Sequence, residues 1–285
     1  MKCSLTLRFV ISLVWAVWLM LPTAASSQGK ADEHATLELI SEQDALVRGK
    51  QFWIGIRFDL QEGWHTYWMN PGDSGEAPRI EWQLPTGFQV SDIQWPHPER
   101  LTLASLADYG YEDQVLLMAA VRLPERFTEG ESTKIAAQVR YLVCQDVCIP
   151  GQKHLELSLP VKTSAASSPS RPLFDATRQK LPRPTPRNWK ISATSSGDEF
   201  VVNLKADKLA KPVQFFPLHA EQIENAAPQN ATELPGGLRL HLKKSEHLLK
   251  PITHLEGVLV LASGNAYQVR IPVAQPRSSH SQSNN

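Results

Sequence analysis

The sequence predicts an all-β protein that consists of two sandwich domains. Short runs of alternating apolar residues recur along most of the chain, and turn-forming residues separate them. Many short strands with regular turns favour packed antiparallel sheets of immunoglobulin-like architecture. A stretch rich in proline and serine near the middle divides this pattern into two parts, which predicts two domains and a linker.

The composition fits two ordinary domains and excludes several classes of protein. The chain has 285 residues with 29 Lys+Arg and 29 Asp+Glu, and this zero net charge argues against a general nucleic-acid binder. Apolar residues make up 42% and charged residues 20%, which is enough for a core and argues against wholesale disorder. Three cysteines are too few for a disulfide-dense scaffold or a multi-finger zinc protein.

Residues 1–25 have the layout of a secretory signal peptide. A basic start precedes an apolar run at 9–21, whose 13 residues are fewer than the about 20 needed to span a membrane. Small residues follow, and we expect cleavage near Ala25. An uncleaved membrane anchor is the alternative. Export places the remaining two cysteines, Cys144 and Cys148, in a compartment where disulfides form.

The first predicted domain, residues 32–162, is filled with strand-like runs. In the clearest run, 51–60, every second residue from Phe52 to Leu60 lies on one apolar face. The other predicted strands of this domain are 80–84, 88–95, 114–123, 134–143 and 154–159. Turn signals at 70–75, 85–87 and 96–98 separate them.

The Pro/Ser-rich linker, residues 163–188, includes one predicted helix at 172–180, with Ser170 as its cap and a proline at its start. A second, smaller sandwich follows at 189–274. Its predicted strands are 200–204, 213–216, 237–242, 257–261 and 266–271. The polar tail, 275–285, is predicted to be disordered.

Cys144 and Cys148 are the strongest chemical feature. A straight strand would separate their Cα atoms by about 13 Å, at ~3.3 Å per residue, whereas a disulfide needs roughly 4.4–6.8 Å. The chain must therefore fold back through a tight loop of residues 145–147. A structural disulfide is one interpretation, although so short a loop contributes only about 2 kcal/mol. An exchange site, in which one thiol resolves a mixed disulfide made by the other, is the second, and a Cu(I) site is the third.

Two further segments could serve the thiols. Alternation at 63–72 places His65, Tyr67 and Met69 on one face. Trp64, Thr66 and Trp68 lie on the other face. One interpretation is that one of these faces is core and the other a solvated strand surface, and the second is that His65 and Tyr67 lie beside the thiols, where they tune them or position a partner. Met69 and His65 would also suit a copper site formed with the two cysteines. Residues 107–113 are either a hairpin turn or a loop that covers the thiols.

Four segments together resemble the amino-terminal periplasmic domain of the DsbD/ScsB family of thiol:disulfide interchange proteins, and a weaker match continues into the second domain. The segments are GWHTYWMNPGDSGEAP, WPHPERL, DYGYEDQVLL and YLVCQDVCIPG; the weaker matches are VQFFPLHAEQIENAAPQ and GLRLHLKK. The resemblance implies an immunoglobulin-like fold, periplasmic location and roles linked to copper tolerance and cytochrome c biogenesis.

The resemblance also implies roles for single residues. Cys144 and Cys148 would be the redox pair, with Cys148 engaging partners and Cys144 resolving the mixed disulfide. The residues expected to line the site are His65, Tyr67, Asp108, Tyr109, Gly110 and Asp146. The redox-active disulfide would serve without a further cofactor, and copper bound by Cys144, Cys148, Met69 and His65 is the alternative.

Three departures from the family pattern qualify this expectation. DsbD domains have five residues between the cysteines, whereas this chain has three, as ScsB-like members do. Asp108 stands where DsbD has a capping phenylalanine. Family members continue into membrane helices and a thioredoxin-like domain, and this chain stops. We therefore expect a separate electron donor, either a membrane protein of the DsbD/CcdA type or a thioredoxin-like domain, and periplasmic thioredoxin-fold proteins as acceptors.

Overall fold

The computed structural model describes residues 28–124, 129–206 and 213–275. The predicted signal peptide and all but the first residue of the predicted tail lie outside the described residues. The described residues form eighteen strands and two short helices, so the prediction of an all-β fold is confirmed. Neither helix is long and apolar enough to cross a membrane.

The first sandwich begins with helix α1 (Gln28–His34) and has two antiparallel sheets. Its strands are β1 (Ala35–Ser41), β2 (Gln51–Leu60), β3 (His65–Gly72), β4 (Arg79–Gln83), β5 (Gln89–Val90), β6 (Glu99–Leu103), β7 (Leu106–Glu112), β8 (Gln114–Arg122), β9 (Ser132–Cys144) and β10 (Cys148–Pro160). One sheet has the order β1-β2-β8-β5. The other has the order β10-β9-β3-β7-β6, with β4 also paired to β9.

Alternating apolar side chains fill the space between these two sheets. Strand β2 follows its predicted bounds, and Ile54, Ile56 and Phe58 on its inner face are fully buried. From the opposite sheet, β9 supplies Val139 and Val143 to the same cluster. Because neighbouring residues of a strand point to opposite faces, Cys144 lies on the outer face of the six-stranded sheet.

The segments at 107–113 and 88–95 differ from the sequence prediction, and β3 extends through Gly72 into the turn predicted at 70–75. The turn or loop predicted at 107–113 is strand β7, and Gly110 suits that strand because a Cβ there would lie 2.2 Å from the carbonyl oxygen of Thr66. The strand predicted at 88–95 is reduced to the two residues of β5. Beyond it, the Ser91 hydroxyl accepts the backbone N–H of Ala120, so a side chain takes over part of the ladder.

The linker packs on the first sandwich through helix α2 (Arg171–Lys180). Phe174 is fully buried there, and both Nη atoms of Arg178 bind the carboxylate of Glu42 at 2.7 and 2.9 Å. The proline at the helix start is present as predicted. Ser170 occupies the N-cap position as predicted, but its backbone angles are helical and its side chain makes no capping bond.

In the second sandwich, hydrogen bonds connect all eight strands into one continuous sheet. Its buried apolar side chains form a core of their own. Its strands are β11 (Arg183–Pro184), β12 (Lys190–Ser196), β13 (Glu199–Lys205), β14 (Val213–Pro217), β15 (Asn230–Leu234), β16 (Gly237–Lys243), β17 (His254–Leu261) and β18 (Ala266–Ala274). The order is β14-β17-β18-β12-β13-β16-β15, with β11 paired to β18.

The two sandwiches share part of a core. Phe216 at the end of β14 packs edge-on against Trp68 and Tyr109 of the first sandwich, at ring-centroid distances of 6.4 and 5.1 Å. Val258 and Ala266 belong to the same buried cluster. Strands β3 and β7 lie near Cys144 on the outer face of their sheet. On the inner face, the same two strands therefore pack against the second sandwich.

Candidate functional site

The candidate site is a disulfide at the end of the β9–β10 hairpin. Cys144 ends β9, Cys148 begins β10, and the two residues are register partners with Cα atoms 4.1 Å apart. The backbone N–H of Gln145 bonds the carbonyl of Val147 at 3.2 Å and closes the turn. The predicted tight loop of residues 145–147 is confirmed.

The two cysteines differ in their exposure to solvent. Cys144 is only 2% exposed, because β9 lies between two strands and His65 of β3 sits opposite it. Cys148 is exposed, because β10 is the edge strand of the sheet. Val147 at the loop tip is 64% exposed and stands beside it. Cys148 is therefore the cysteine that lies at the protein surface.

The hydroxyl of Tyr67 contacts both sulfurs of the disulfide. Its hydroxyl donates to Cys144 Sγ at 2.9 Å and lies 3.4 Å from Cys148 Sγ. The side chain is fully buried, and this burial raises the pKa of the Tyr67 phenol above its usual value, with the Ser74 hydroxyl opposing the shift and the Asp108 carboxylate adding to it. The phenol therefore stays protonated at neutral pH and is a permanent donor to the sulfur.

His65 and Asp108 complete the buried polar group on this face. The His65 ring packs edge-on against Tyr67 with centroids 5.2 Å apart, and its Nε2 lies 4.0 Å from Asp108 Oδ2. Burial lowers the pKa of His65 below its usual value of 6.5, and the Asp108 carboxylate opposes this. Among the described residues Nε2 has no hydrogen-bond partner. The imidazole is therefore neutral at neutral pH.

A loop at residues 73–78, here called the cover loop, closes over Tyr67. Ser74 donates to Asp108 through its backbone N–H at 2.9 Å and its hydroxyl at 2.7 Å. Gly75 rests on the phenol ring, and a Cβ there would lie 2.0 Å from Tyr67 Cζ. Its φ of +76° also favours glycine. A covering segment was predicted at 107–113 and not at 73–78, where the turn sequence GDSG at 72–75 was the available signal.

The other predicted site residues have different surroundings. Tyr109 points to the inner face, where its hydroxyl donates to Asn225, so it does not line the disulfide. Gly110 sits opposite Tyr67 in the β3–β7 register.

Asp146 is exposed and lines a groove of about 340 Å³ together with His65, Gln145, Arg100 and Leu101. Met69 is 45% exposed, two residues beyond Tyr67 on the same strand.

A metal site is not evident from this geometry. Among the described residues, no group of three or more His, Cys, Asp and Glu side chains is arranged to hold a metal ion. What the arrangement offers is an exposed cysteine, a buried cysteine whose sulfur accepts a hydrogen bond, and the neutral side chains of His65 and Tyr67. Exchange chemistry needs a reachable sulfur and a stabilised leaving sulfur, and Cys148 and Cys144 suit these two roles.

The fold and the site define the class: an immunoglobulin-like domain that carries a disulfide with one buried and one exposed cysteine. Residues 36–160 match the family described as thiol:disulfide interchange protein DsbD, N-terminal. The matched segment lies within the first sandwich. Comparison with curated protein sequences gives no match.

Solved structures extend the likeness over the second sandwich. The N-terminal periplasmic domain of ScsB from Proteus mirabilis is 17% identical with a TM-score of 0.65, over 91% of this chain and 98% of that one. At this identity the match establishes a shared fold. AvmM, which catalyses macrocyclization in alchivemycin A biosynthesis, gives 11% identity, coverages of 47% and 92%, and a TM-score of 0.23. The human desmocollin-1 ectodomain is 14% identical over 85% of this chain and 36% of that one, with a TM-score of 0.22. The last two scores carry no argument.

Proposed function

We propose that this protein is a periplasmic thiol–disulfide exchange protein that relays electron pairs through Cys144 and Cys148. The unequal exposure of the two cysteines is the observation that carries the proposal. A disulfide that only braces its hairpin has no need of one open sulfur and a buried phenol bonded to the other. The match of residues 36–160 to the interchange family supports the same function.

The chain becomes reduced in two displacements. A donor thiolate attacks Cys148 Sγ, the Cys144–Cys148 bond breaks, and Cys144 leaves as a thiolate that accepts the Tyr67 hydroxyl. The donor's second thiolate then attacks the donor sulfur of the mixed disulfide and releases Cys148. The donor ends as a disulfide, and two electrons have entered the chain.

The reverse sequence delivers the electrons. The Cys148 thiolate attacks a partner's disulfide and expels one partner thiolate. Cys144 then attacks Cys148 Sγ, restores the internal disulfide and releases the partner fully reduced. We propose a membrane electron donor of the DsbD/CcdA type or a thioredoxin-like domain for the first sequence, and periplasmic thioredoxin-fold proteins for the second.

Trapping with single-cysteine variants tests this proposal. Cys144→Ser leaves the exposed sulfur without its resolving partner, so mixed disulfides should accumulate when the chain is expressed in a periplasm. Cys148→Ser leaves only the buried sulfur, which should form few adducts. Nonreducing gels and mass spectrometry identify both the partner and the sulfur that holds it. Equal trapping by the two variants contradicts the proposed division of roles.

A measured potential distinguishes exchange from a structural role. We expect a reduction potential above the about −300 mV that bounds structural disulfides in secreted proteins. A pair at or below that value, with no thiol labelling after mild reductant, would mean that the disulfide only stabilises the hairpin.

Copper handling by the same thiols is a second proposal, favoured by one observation. His65 Nε2 is buried on the Cys144 face without a hydrogen-bond partner among the described residues. Imidazole nitrogen and thiolate sulfur both suit Cu(I). Titration of the reduced chain with Cu(I) tests it: binding that weakens in both Cys144→Ser and His65→Gln supports a copper site, and binding that ignores His65 contradicts it.

A further inference from the structure

Residues 216–227, here called the clasp, join the second sandwich to the strands that carry the site. The Pro217 carbonyl accepts from Asn70 Nδ2 at 2.8 Å, and the Ala227 carbonyl accepts from Arg100 Nη2 at 3.2 Å. Asn70 lies on β3 and Arg100 on β6. The clasp is therefore hydrogen-bonded to two strands of the six-stranded sheet, which also carries the disulfide.

Asn225 in the clasp uses both ends of its amide on the first sandwich. Its Oδ1 accepts the Tyr109 hydroxyl at 2.9 Å, and its Nδ2 donates to Asp73 Oδ1 at 2.8 Å. Asn225 is only 6% exposed, so water competes little for these bonds. The other oxygen of Asp73 accepts the backbone N–H of Ala107 at 2.8 Å. The first residue of the cover loop is thus held between β7 and the clasp.

An unbroken series of contacts leads from Asp73 to the sulfur. The next residue, Ser74, is bonded twice to the fully buried Asp108. Gly75 then lies directly on the Tyr67 ring, and the Tyr67 hydroxyl donates to Cys144 Sγ at 2.9 Å. Because each step is a hydrogen bond or a close packing contact, a shift of Asp73 is transmitted to the phenol.

We propose that Asn225 is a positioning residue for the disulfide site, through which the second sandwich holds the cover loop over Tyr67 and so sets the reactivity of Cys144. When Asn225 releases Asp73, the cover loosens, water reaches Tyr67 and its bond to the sulfur weakens. A donated hydrogen bond favours the charged form of its acceptor, so the thiolate of Cys144 becomes less stable. The inference rests on the proposed exchange function, because the reactivity of a purely structural disulfide would not matter.

The test measures Cys144 in the whole chain with Cys148→Ser, as the rate of alkylation by iodoacetamide against pH. The midpoint of this profile reports the pKa of the thiol, and the plateau at high pH reports its access. For Asn225→Ala we expect the midpoint to rise by about one pH unit, a tenfold fall in the thiolate fraction at neutral pH, and the plateau to rise severalfold.

Gln229→Ala is the matched control. Gln229 also uses both ends of its amide, accepting from the N–H and donating to the carbonyl of Phe215, but these bonds stay within the second sandwich. The control should leave both midpoint and plateau unchanged. If it shifts them as much as Asn225→Ala does, the effect is a general loosening of the second sandwich and the proposal is overturned.

A charge swap separates positioning from simple destabilisation. Asn225→Asp sets a second carboxylate against Asp73, which should repel the cover loop and shift the profile at least as far as the alanine variant does. Combining it with Asp73→Asn restores the donor–acceptor pair with its partners exchanged and returns the net charge to that of the parent chain. The combined variant should recover the original profile.

An unchanged profile in Asn225→Ala and Asn225→Asp, in chains that keep their circular dichroism, overturns the inference. A double variant that fails to recover the profile also counts against it. The failure of the exchange function is distinguishable, because it is scored on the chain with both cysteines as resistance of its disulfide to dithiothreitol. A labile disulfide with an unmoved Cys144 profile would defeat the Asn225 inference alone.

Discussion

The two sandwiches differ in the polar side chains that they bury. The first buries a group of polar residues in the strands beside the disulfide, namely His65, Thr66, Asn70 and Asp108. In the described part of the second, the buried polar side chains are Gln222 and Asn225, both in the clasp. Because burial of a polar group costs free energy unless it is hydrogen-bonded, such groups mark the places where function or precise contact needs them. The buried polar groups of the first sandwich therefore lie beside the disulfide, and those of the second lie in the segment that contacts the first.

Two glycines give the largest expected contrast between the sandwiches. Gly75 and Gly264 have nearly equal φ values of +76° and +78°, but a Cβ on Gly75 would overlap the Tyr67 ring, whereas a Cβ on Gly264 would meet nothing within 4 Å. Gly264→Ala should cost about 1 kcal/mol of unfolding free energy from backbone strain alone. Gly75→Ala adds overpacking and should cost about 3 kcal/mol. Urea unfolding measures both, and equal costs would show that the cover loop is not tightly packed.

Two buried tyrosine hydroxyls should separate redox tuning from stability. The Tyr67 hydroxyl bonds Cys144 Sγ, and the Tyr111 hydroxyl bonds the Pro96 carbonyl at 2.8 Å on the opposite face of the sheet. Each Tyr→Phe change should cost about 1–2 kcal/mol of stability. Only Tyr67→Phe should raise the midpoint of the Cys144 alkylation profile, by about one pH unit. A similar shift in Tyr111→Phe would mean that the profile reports stability and not the bond.

The sequence predicted the parts of the fold that depend on local pattern. Strand β2 keeps its predicted bounds because its inner face alternates without interruption, and the hairpin loop at 145–147 followed from the spacing of two cysteines. The prediction of a turn or loop at 107–113 was wrong, because the polar and glycine residues in Asp108-Tyr109-Gly110 resemble those of a turn. Burial of Asp108 under Ser74 depends on a contact between residues 34 apart, which no local pattern contains.

The site was predicted in its residue types more than in its arrangement. The alternation at 63–72 placed His65 and Tyr67 on one face, and the structure puts Tyr67 in contact with both sulfurs. Tyr109 was assigned to the disulfide but points to Asn225, since odd and even residues of β7 face opposite ways. The role of the clasp could not be predicted, because it depends on how two sandwiches dock.

Acid should destabilise the first sandwich through His65. Its pKa in the folded state is lowered by burial below the unfolded value of about 6.5. The neutral ring therefore contributes stability above pH 6.5, and this is lost as the pH falls below that value, by up to about 1.4 kcal/mol per pH unit for one group. His65→Gln should flatten this dependence. Burial also lowers the pKa of His97, which should preserve part of the slope.

An exposed histidine of the second sandwich provides the control for this pH dependence. His247→Gln should leave the slope of unfolding free energy against pH as it is in the parent chain. A slope that is unchanged in His65→Gln, or that falls equally in both variants, would mean that the buried imidazole is not the group that titrates.

The smallest expected effect on stability comes from two exposed apolar side chains, one in each sandwich. Val147 beside the disulfide is 64% exposed, and Leu249 in the second sandwich is 89% exposed. Serine at either position should change the unfolding free energy by no more than about 0.5 kcal/mol.

Val147→Ser should nevertheless slow reduction of the chain by a thioredoxin-fold protein severalfold, because the partner must pack against the loop tip to reach Cys148. Reduction by dithiothreitol needs no such packing and should keep its rate, as should both reactions in Leu249→Ser. If dithiothreitol and the protein donor slow together in Val147→Ser, the residue acts on the disulfide itself and not on docking.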